Sequence, residues 1–338
     1  MFVLSEKLKA VKHALKSWNR NHFGHIQHSV QLASKALDDI QQSNQSSSPD
    51  FEAELQAHLK LDRALHLQAC YWKDKSRVRW HMGGDRCTEF FHRYTRLKLA
   101  TKGIPALQHE GSLLTTQEAI EGKVISYFSD LYSSPNVCTP NSLIQEVIPN
   151  LVSHSDNGFL TAIPSDAEIH KAVFASNADV APGPDGFGCC FFQIFWEVVQ
   201  KEVCAAVRQF FLSGWILLNM NSGIVALISK SSNAIDVENF RPIAVANFKF
   251  KIITKILADR LASIAPKLIS SQQCGFVKGR HIFDCIGVVS ESVNILHKKT
   301  FGGNIALKLD IRKAFDTLDW KFILDVLRAF GFCETFCG

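Results

Sequence analysis

The sequence predicts a mixed protein of the α+β or α/β class, in which a helical N-terminal arm precedes a region of helices and strands. Residues 5–40 and 51–99 carry apolar side chains at the three- and four-residue spacing of a helix. Beyond residue 104, short apolar or alternating runs typical of strands stand between helical segments. With 46% hydrophobic residues and 25 Phe among 338 residues, the composition excludes a wholly disordered chain.

The predicted arm covers residues 1–103. The apolar stripe of its first helix is formed by Leu8, Val11, Leu15 and Trp18. A polar segment over residues 43–49 separates that helix from the second helical pattern. Gly103 and Pro105 end the arm, because glycine and proline both disfavour a helix interior.

Two further parts are predicted after the arm. A connecting helical segment covers residues 104–160 and contains a helix over Gln117–Tyr132. The third part, residues 161–338, contains the strands. Its first predicted elements are a helix over Phe191–Leu212, a buried strand over Ile224–Ile228, a strand over Ile243–Ala246 and a helix over Phe248–Leu261. Four basic residues fall mostly off the apolar stripe of that last helix, namely Lys249, Lys251, Lys255 and Arg260.

The last 35 residues predict a strand, a turn and a helix. Residues 304–310 alternate between apolar and other side chains, which is typical of a strand. Trp320–Phe330 has helical spacing, and Gly331 suits the C-terminal cap of that helix. The carboxylate of Asp310 is therefore expected where a strand ends and a turn begins.

Charge along the chain is arranged in blocks. The net charge is +5, but residues 60–103 carry 11 basic and 4 acidic side chains, and residues 241–338 carry 15 and 8. Between them, residues 104–240 carry 5 basic and 14 acidic side chains. Basic segments with aromatic residues among them suit the phosphates and bases of a nucleic acid. A set of solvated helix faces is the alternative interpretation.

The sequence gives no sign of secretion or of a membrane span. Charged residues at Glu6, Lys7 and Lys9 interrupt any apolar core of a signal peptide. The best membrane candidate, Trp215–Ile228, has only 14 residues and contains polar ones. The ten cysteines form no Cys-x-x-Cys, so we expect reduced thiols in an intracellular protein.

The segment Leu309–Asp316 carries the strongest chemical signal. A carboxylate at a strand end, followed by Arg312 and Lys313, suits a divalent metal and a phosphate. Magnesium prefers oxygen ligands and commonly binds one or two carboxylates together with substrate phosphates. A helix cap or an ion pair is the alternative role for Asp310.

A series of motifs occurs in order along the chain. They are Trp72-Lys-Asp-Lys-Ser-Arg77, Gly84-Asp-Arg-Cys-Thr-Glu-Phe-Phe-His92, Ala181-Pro-Gly-Pro-Asp-Gly-Phe187, Val225-Ala-Leu-Ile-Ser-Lys230, Asn239-Phe-Arg-Pro-Ile243, Phe276-Val-Lys-Gly-Arg280 and Lys308-Leu-Asp-Ile-Arg-Lys-Ala-Phe-Asp316. Together they resemble the reverse transcriptase of LINE-type, non-LTR retrotransposons, and most closely the plant forms. Small departures occur, such as Ser229 and Lys278 where the family has proline.

This resemblance implies an RNA-directed DNA polymerase. Residues 1–103 would be the arm upstream of the polymerase, and residues 161–338 the fingers and an incomplete palm of a right-hand polymerase. The implied reaction adds deoxynucleoside triphosphates to a DNA primer along an RNA template by a two-metal mechanism. The implied location is the nucleus, and no membrane is involved.

Within the last motif, the resemblance assigns roles to four residues. Asp310 would be the catalytic, metal-binding aspartate, and the Ile311 carbonyl a further ligand of Mg²⁺ or Mn²⁺. The ring of Phe315 would exclude the 2′-hydroxyl of a ribonucleotide, and a place in the core is its alternative role. We expect Asp316 to cap the following helix rather than bind metal.

Four further residues would contact substrates. Lys230 and Arg241 would lie on the fingers hairpin and neutralise the incoming triphosphate. Gly279 and Arg280 would lie near the primer or template. A structural ion pair is the alternative role for each of the two arginines.

One part of the family's catalytic machinery is missing from these 338 residues. The family's second Asp-Asp motif is not found, and the chain's one Asp-Asp pair, Asp38-Asp39, lies in a predicted N-terminal helix. Two-metal catalysis needs several converging carboxylates. We therefore expect a truncated fragment that does not polymerise by itself. The alternatives are a non-catalytic nucleic-acid-binding module and an inert retroelement remnant.

Overall fold

The computed structural model shows a mainly helical protein with small sheets. The residues that it describes are 1–46, 49–76, 93, 95–96, 103–133, 142–231, 234–299, 301–309 and 314–338. They divide into two compact units, a smaller one of Glu6–Ala106 and a larger one of Met1–Ser5 with Leu107–Gly338. The described residues contain two two-stranded sheets. This confirms the mixed class of helices and strands.

Three long helices and a short π-helix form the described start of the chain. They are α1 (Phe2–Trp18), the π-helix Asn19–Phe23, α2 (Ile26–Ser46) and α3 (Phe51–Ser76). The helix predicted over residues 5–40 is thus interrupted, because Gly24 takes a left-handed φ of 64° at the end of the π-helix. The pattern predicted over residues 51–99 is helical as far as Ser76. Beyond it, residues 77–92, 94 and 97–100 lie outside the described part.

The larger unit begins with a small hairpin and a helix. Strands β1 (Leu107–His109) and β2 (Ser112–Leu114) pair antiparallel around Glu110 and Gly111, whose φ angles are 48° and 80°. Two positive φ angles at the tip match the twist of a tight hairpin. Helix α4 (Gln117–Ser133) follows and confirms the helix predicted there, and α5 is a short helix over Leu143–Val147.

Five helices form the main packed layer of the larger unit. They are α6 (His154–Thr161), α7 (Asp166–Phe174), α8 (Cys189–Ile194), α9 (Trp196–Ser213) and α10 (Phe248–Leu268). Helix α10 packs against α6, α7 and α9. Its apolar face is buried as predicted, with Ile252, Ile253 and Ile256 each 1% exposed. The single helix predicted over Phe191–Leu212 is instead two helices, because Phe195 leaves the helical conformation between α8 and α9.

A second hairpin stands between α9 and α10. Strand β3 (Gly223–Ser229) pairs antiparallel with β4 (Phe240–Ala246), so both predicted strands are confirmed. The predicted burial of the first strand is wrong, because Ile224, Val225 and Ile228 are each about half exposed. A two-stranded sheet has no inner position flanked by strands on both sides, and these side chains stay in contact with solvent.

The last described helices are α11 (Ile282–Ile295), α12 (Ala314–Thr317), α13 (Trp320–Phe330) and α14 (Glu334–Cys337). Helix α13 and its glycine cap are as predicted, with Gly331 at a φ of 96°. The predicted cap Asp316 is wrong. The Asp319 carboxylate accepts a hydrogen bond from the Phe322 amide at 2.9 Å and caps α13, whereas Asp316 lies inside α12.

The strand predicted over residues 304–310 is not formed in its described part. Residues 304–309 have no regular structure, and Ile305, Leu307 and Leu309 are 85%, 85% and 89% exposed. A strand requires a neighbour to accept and donate its backbone hydrogen bonds, and none pairs with these residues in the described chain. Alternation alone therefore did not determine the structure of this segment.

The C-terminal helices nevertheless pack firmly onto α6 and the segment before it. A core cluster joins Val152, Leu160, Ile264, Phe332 and Cys337. The Asn157 side chain donates to the Gly331 carbonyl at 2.8 Å and accepts from the Cys333 amide at 2.8 Å. One partly buried amide side chain thus fixes the turn between α13 and α14.

Candidate nucleotide and nucleic-acid site

The β3–β4 hairpin places Lys230 and Arg241, the two cations predicted to contact the triphosphate, on the same face. Ile228 pairs directly with Arg241, and Lys230 follows two residues after Ile228. The Lys230 amide donates to the Asn239 carbonyl at 2.8 Å, so the ladder continues to this position. Because side chains alternate along a strand, Lys230 and Arg241 lie on one face of the hairpin.

Both cations are accessible to solvent. The Lys230 ammonium donates to the Glu238 carbonyl at 2.8 Å, across the hairpin end. Arg241 is exposed on β4. An ammonium and a guanidinium near each other suit the oxygens of a polyphosphate, since both donate charge-assisted hydrogen bonds. The role that the resemblance implies for them stays a prediction.

The root of the hairpin is held by Asn247, a residue that the sequence analysis missed. It directly follows β4 and is 2% exposed. Its side-chain oxygen accepts from the Asp185 amide at 3.0 Å. Its side-chain nitrogen donates to the carbonyls of Asn219 at 3.0 Å and Met220 at 3.3 Å. One amide thus joins both ends of the hairpin to the loop around Asp185.

That loop is the Pro-Gly-Pro-Asp-Gly motif. The Gly186 amide donates to the Gly183 carbonyl at 3.0 Å, which closes a turn with Pro184 at its second position. The Asp185 carboxylate accepts from the Phe187 amide at 3.1 Å. A Cβ at Gly183 would stand 2.5 Å from the backbone nitrogen of Asn247, so only glycine permits this close approach.

A buried lysine completes the contact between the loop and helix α10. Lys249 is 7% exposed, and its ammonium lies 3.6 Å from the Asp185 carboxylate. The same ammonium donates to the Ser5 hydroxyl at 3.4 Å. The Pro-Gly-Pro-Asp-Gly loop therefore acts here as a brace, which links the hairpin root to the start of α10.

Arg280 follows α10 in a turn-rich segment. Its guanidinium donates to three backbone carbonyls, those of Ile269 at 3.2 Å, Gln273 at 2.7 Å and Ser270. Its hydrogen-bond partners in the described part of the chain are thus carbonyls, and the ion pair considered for it is not among them. Gly279 has a φ of 82°, and no atom lies within 4 Å of the position that an added Cβ would take. The turn is compatible with a role near nucleic acid, and that role stays a prediction.

The residues of the last motif are described only in part. Asp310 and Ile311 lie outside the described residues. Phe315 is 98% exposed in α12, and the neighbouring Asp316 accepts a hydrogen bond from the Tyr132 hydroxyl at 3.3 Å. Burial, and then the Asp316 charge, raise the pKa of Tyr132. This contact attaches α12 to α4 and leaves the Phe315 ring free to meet a ligand.

The described residues do not supply a metal site. They contain no group of three or more His, Cys, Asp or Glu side chains arranged to hold a metal ion. The predicted ligands Asp310 and Ile311 are not among them. No described helix combines the length and the apolar character of a membrane span.

One segment of the chain matches a known protein family. Residues 228–337 match the family described as reverse transcriptase (RNA-dependent DNA polymerase). The matched segment starts in β3, includes Lys230, Arg241 and Arg280, and ends in α14.

Individual relatives are proteins of mobile elements. The uncharacterized 149 kDa protein of transposon TX1 from Xenopus laevis is 27% identical over 270 residues, which are 78% of this chain and 20% of the relative. A retrovirus-related Pol polyprotein from the type-1 retrotransposable element R2 of Nasonia vitripennis is 26% identical over 148 residues, 44% of this chain and 14% of the relative. The corresponding polyprotein from the type-2 element R2DM of Drosophila melanogaster is 27% identical over 220 residues, 65% of this chain and 19% of the relative.

The chain therefore spans no more than a fifth of the length of these relatives. The family match and the relatives support the resemblance to a reverse transcriptase of a non-LTR element, which the order of the motifs had indicated.

Proposed function

We propose that residues 161–338 form the fingers and an incomplete palm of a reverse transcriptase from a plant-type non-LTR retrotransposon. The observation that carries the proposal is the agreement between the family match over residues 228–337 and the hairpin that presents Lys230 and Arg241 on one face. In the complete enzyme these residues would help to copy an RNA template into DNA from a primer.

The proposed roles of the described residues follow from their chemistry. Lys230 and Arg241 neutralise the phosphates of an incoming deoxynucleoside triphosphate, as cations do in other phosphoryl transfers. Phe315 excludes the ribose 2′-hydroxyl by its bulk, and the exposure of its ring makes it accessible to a nucleotide. Gly279 and Arg280 lie near the primer or template.

Catalysis needs more carboxylates than the segment Leu309–Asp316 contains. Asp310 and the Ile311 carbonyl are the proposed ligands of Mg²⁺ or Mn²⁺, and two-metal catalysis requires further acidic ligands. The one Asp-Asp pair of the sequence lies in α2, within the smaller unit. We propose that these 338 residues bind substrates but do not polymerise on their own.

A non-catalytic nucleic-acid-binding module is the second candidate. It is favoured by the basic excess of residues 60–103 and 241–338, which requires no metal to bind phosphates. An inert retroelement remnant is the third candidate, and it predicts a chain without a cooperative thermal transition. Salt-sensitive RNA binding by a cooperatively folded chain would exclude the third.

Primer extension tests the expected lack of catalysis. The purified chain and its Asp310→Ala variant are incubated with a DNA primer on an RNA template, Mg²⁺ and all four deoxynucleoside triphosphates. We expect no incorporation from either protein. Incorporation by the wild type that is lost in Asp310→Ala would show that other carboxylates complete the site, and the proposed inactivity would be wrong.

Nucleotide binding is measured in a second experiment, which gives a signal even without catalysis. A fluorescent deoxynucleoside triphosphate is titrated into the complex of protein, primer and template. We expect Lys230→Ala and Arg241→Ala each to weaken binding about tenfold, because each removes charge-assisted hydrogen bonds. Lys255→Ala is the matched control, since Lys255 is paired with Asp259 on α10. Equal binding by all three variants would refute the role of the hairpin.

A further inference from the structure

We propose that a groove on the smaller unit, between α2 and α3, binds a single-stranded nucleic acid. The groove lies within residues 19–96, outside the segment that matches the reverse transcriptase family, and it goes beyond the proposed polymerase site. It consists of two neighbouring cavities that share Ile26 in their walls. One cavity supplies aromatic rings and the other supplies cations.

The aromatic cavity has a volume of about 300 Å³. Its wall includes His25, Tyr71, Trp72 and Arg96. The rings of Tyr71 and Trp72 meet edge to face, with centroids 5.2 Å apart. Both side chains are only partly buried, so ring surface remains accessible to a ligand. Bases stack on such rings with little dependence on sequence, because every base has a flat π-face.

The π-helix between α1 and α2 forms one wall of this cavity. The Gly24 amide donates to the Asn19 carbonyl at 2.8 Å and closes the wide turn. Asn19, Gly24, His25 and Gln27 all line the cavity. Single π-helical turns are rare and are often found at functional sites. The irregular turn thus brings polar groups of the backbone and side chains to the edge of the aromatic surface.

The second cavity has a volume of about 250 Å³ and contains two cations. Its wall includes Lys60, Arg63 and Leu67 on α3, with Ala33 on α2. Residues three and four apart lie on one face of a helix, so these α3 positions and Tyr71 form a continuous stripe. Asp62 is offset by two positions and faces elsewhere.

The length of the stripe suits several nucleotides. From Lys60 to Trp72 the helix rises about 18 Å, at about 1.5 Å per residue. A stacked strand rises about 3.4 Å per nucleotide along its axis, so the groove spans the rise of about five nucleotides. Lys75 adds a further cation near the aromatic end, with its ammonium 4.6 Å from the Tyr71 ring centroid and 5.7 Å from that of Trp72.

The lining favours a nucleic acid over an acidic peptide. Among the described residues, no aspartate or glutamate lines either cavity, and Lys60, Arg63 and Arg96 lie along the groove. An acidic peptide would satisfy the cations but would leave the Tyr71–Trp72 surface unused. A single strand satisfies both, because its phosphates and its exposed bases alternate along its length.

Site-specific cross-linking on the full 338-residue chain tests the proposal. An oligonucleotide that contains 4-thiouridine is bound, irradiated with ultraviolet light and located by mass spectrometry. We expect cross-links in peptides of α3 that contain Tyr71 or Trp72. Cross-links found only within residues 107–338 would overturn the proposal. The same oligonucleotide in RNA and DNA form then shows which sugar the groove prefers.

Affinity measurements by fluorescence anisotropy give a second test. We expect Trp72→Ala to weaken binding about tenfold through loss of stacking, and Trp72→Phe to retain most of the affinity. Lys60→Gln with Arg63→Gln should lower the slope of log K against log salt by about 1.4, since each phosphate contact on a single strand contributes about 0.7.

The matched control removes the same charge elsewhere in the smaller unit. Lys16→Gln with Lys35→Gln changes two lysines that line neither cavity, and Lys35 lies on the opposite face of α2 from Ile26. Equal salt slopes for the two double variants, with all variants showing the wild-type thermal transition, would refute the groove. Displacement of the RNA by polyglutamate, with no effect of Trp72→Ala, would assign the groove to acidic proteins instead.

The outcome is separable from that of the polymerase proposal. Lys230→Ala and Arg241→Ala change nucleotide binding and should leave the α3 cross-links unchanged. If the wild-type chain gives no α3 cross-links but binds nucleotide as predicted, the groove proposal alone is rejected.

Discussion

At the scale of single residues, the best-defined feature is the close contact between Gly183 and Asn247. The Pro-Gly-Pro-Asp-Gly motif was predictable as a turn from its composition, because two prolines and two glycines exclude a helix interior. Its partner was not predictable. Asn247 has no motif of its own that signals a buried amide, and only the fold brings it to within hydrogen-bonding distance of Asp185, 62 positions earlier.

The contact predicts a specific sensitivity at Gly183. An alanine there would place its Cβ 2.5 Å from the Asn247 nitrogen and 2.7 Å from the Ala246 carbonyl carbon, both backbone atoms that cannot rotate away. We expect Gly183→Ala to lower the free energy of unfolding by about 1–3 kcal/mol, measured by urea denaturation. Gly188→Ala is the control, because its Cβ would meet only ordinary contacts at 3.6 Å and beyond. Equal stability of the two variants would contradict the model of a close-packed brace.

At the scale of elements, the start of α6 shows how local sequence determines a helix boundary. Ser153 and Asp156 form a reciprocal capping box, in which the Ser153 hydroxyl accepts from the Asp156 amide at 3.1 Å and the Asp156 carboxylate accepts from the Ser153 amide at 3.0 Å. Lys267 on α10 donates to the same carboxylate at 2.8 Å. The capping box is a local feature, whereas the lysine comes from 111 positions away and depends on the tertiary structure.

These bonds predict a pH dependence of stability. The hydrogen bond from Lys267, followed by those from Ser153, lowers the pKa of Asp156 from 3.8 to about 2. Because the folded pKa is the lower one, the unfolded state binds more protons in this range. The contribution of Asp156 is therefore present above about pH 4 and lost as the pH falls towards about 2.

Urea denaturation of the wild type and Asp156→Asn across this range would measure it. We expect the wild type to be more stable at neutral pH and the two curves to converge in acid. Lys267→Gln should move the pKa of Asp156 back towards its ordinary value, which a carboxyl NMR titration would show. A constant difference in stability from neutral pH to acid would contradict the assignment.

At the scale of the whole larger unit, Arg260 connects four helices. It is 3% exposed on α10, and its guanidinium makes two hydrogen bonds of 2.8 Å to Glu168 on α7. The same group donates to the carbonyls of Leu160 at 3.0 Å and Ala162 at 2.6 Å, at the end of α6. It also lies 4.9 Å from the ring centroid of Phe211 on α9. A forked, planar cation is required to reach all of these partners at once.

Replacing Arg260 should lower the stability of the larger unit. We expect Arg260→Ala to lower the free energy of unfolding by about 3 kcal/mol, because Glu168 and two carbonyls lose their partner in a largely buried place. Arg260→Lys should recover little of that loss, since an ammonium cannot form the paired bonds. Lys255→Ala on the same helix removes an exposed pair with Asp259 and should cost no more than about 0.5 kcal/mol. Urea denaturation that ranks the two alanine variants equally would show that Arg260 is not such a connection.

Periodicity alone was sufficient for a good part of the fold. The helix α4, the apolar face of α10, the two strands of the β3–β4 hairpin and the helix α13 with its glycine cap were all predicted from spacing and capping residues. These elements are specified by neighbours within a few positions, which a sequence pattern records directly. The family resemblance likewise depended on short motifs in a fixed order, and the match over residues 228–337 supports it.

Several of the wrong predictions depended on distant partners. Residues 304–309 alternate like a strand, yet no described strand pairs with them, and they have no regular structure. Lys249 and Arg260 fall off the apolar stripe of α10 but are buried, because Asp185 and Glu168 come from other elements to neutralise them. The sequence by itself determined α4, the apolar face of α10, the strands of the β3–β4 hairpin and α13, and its motifs indicated the family that residues 228–337 match. The tertiary structure alone decided which charges are buried and which side chains share a face of the hairpin, because those outcomes depend on groups that are remote in the chain and adjacent only after folding.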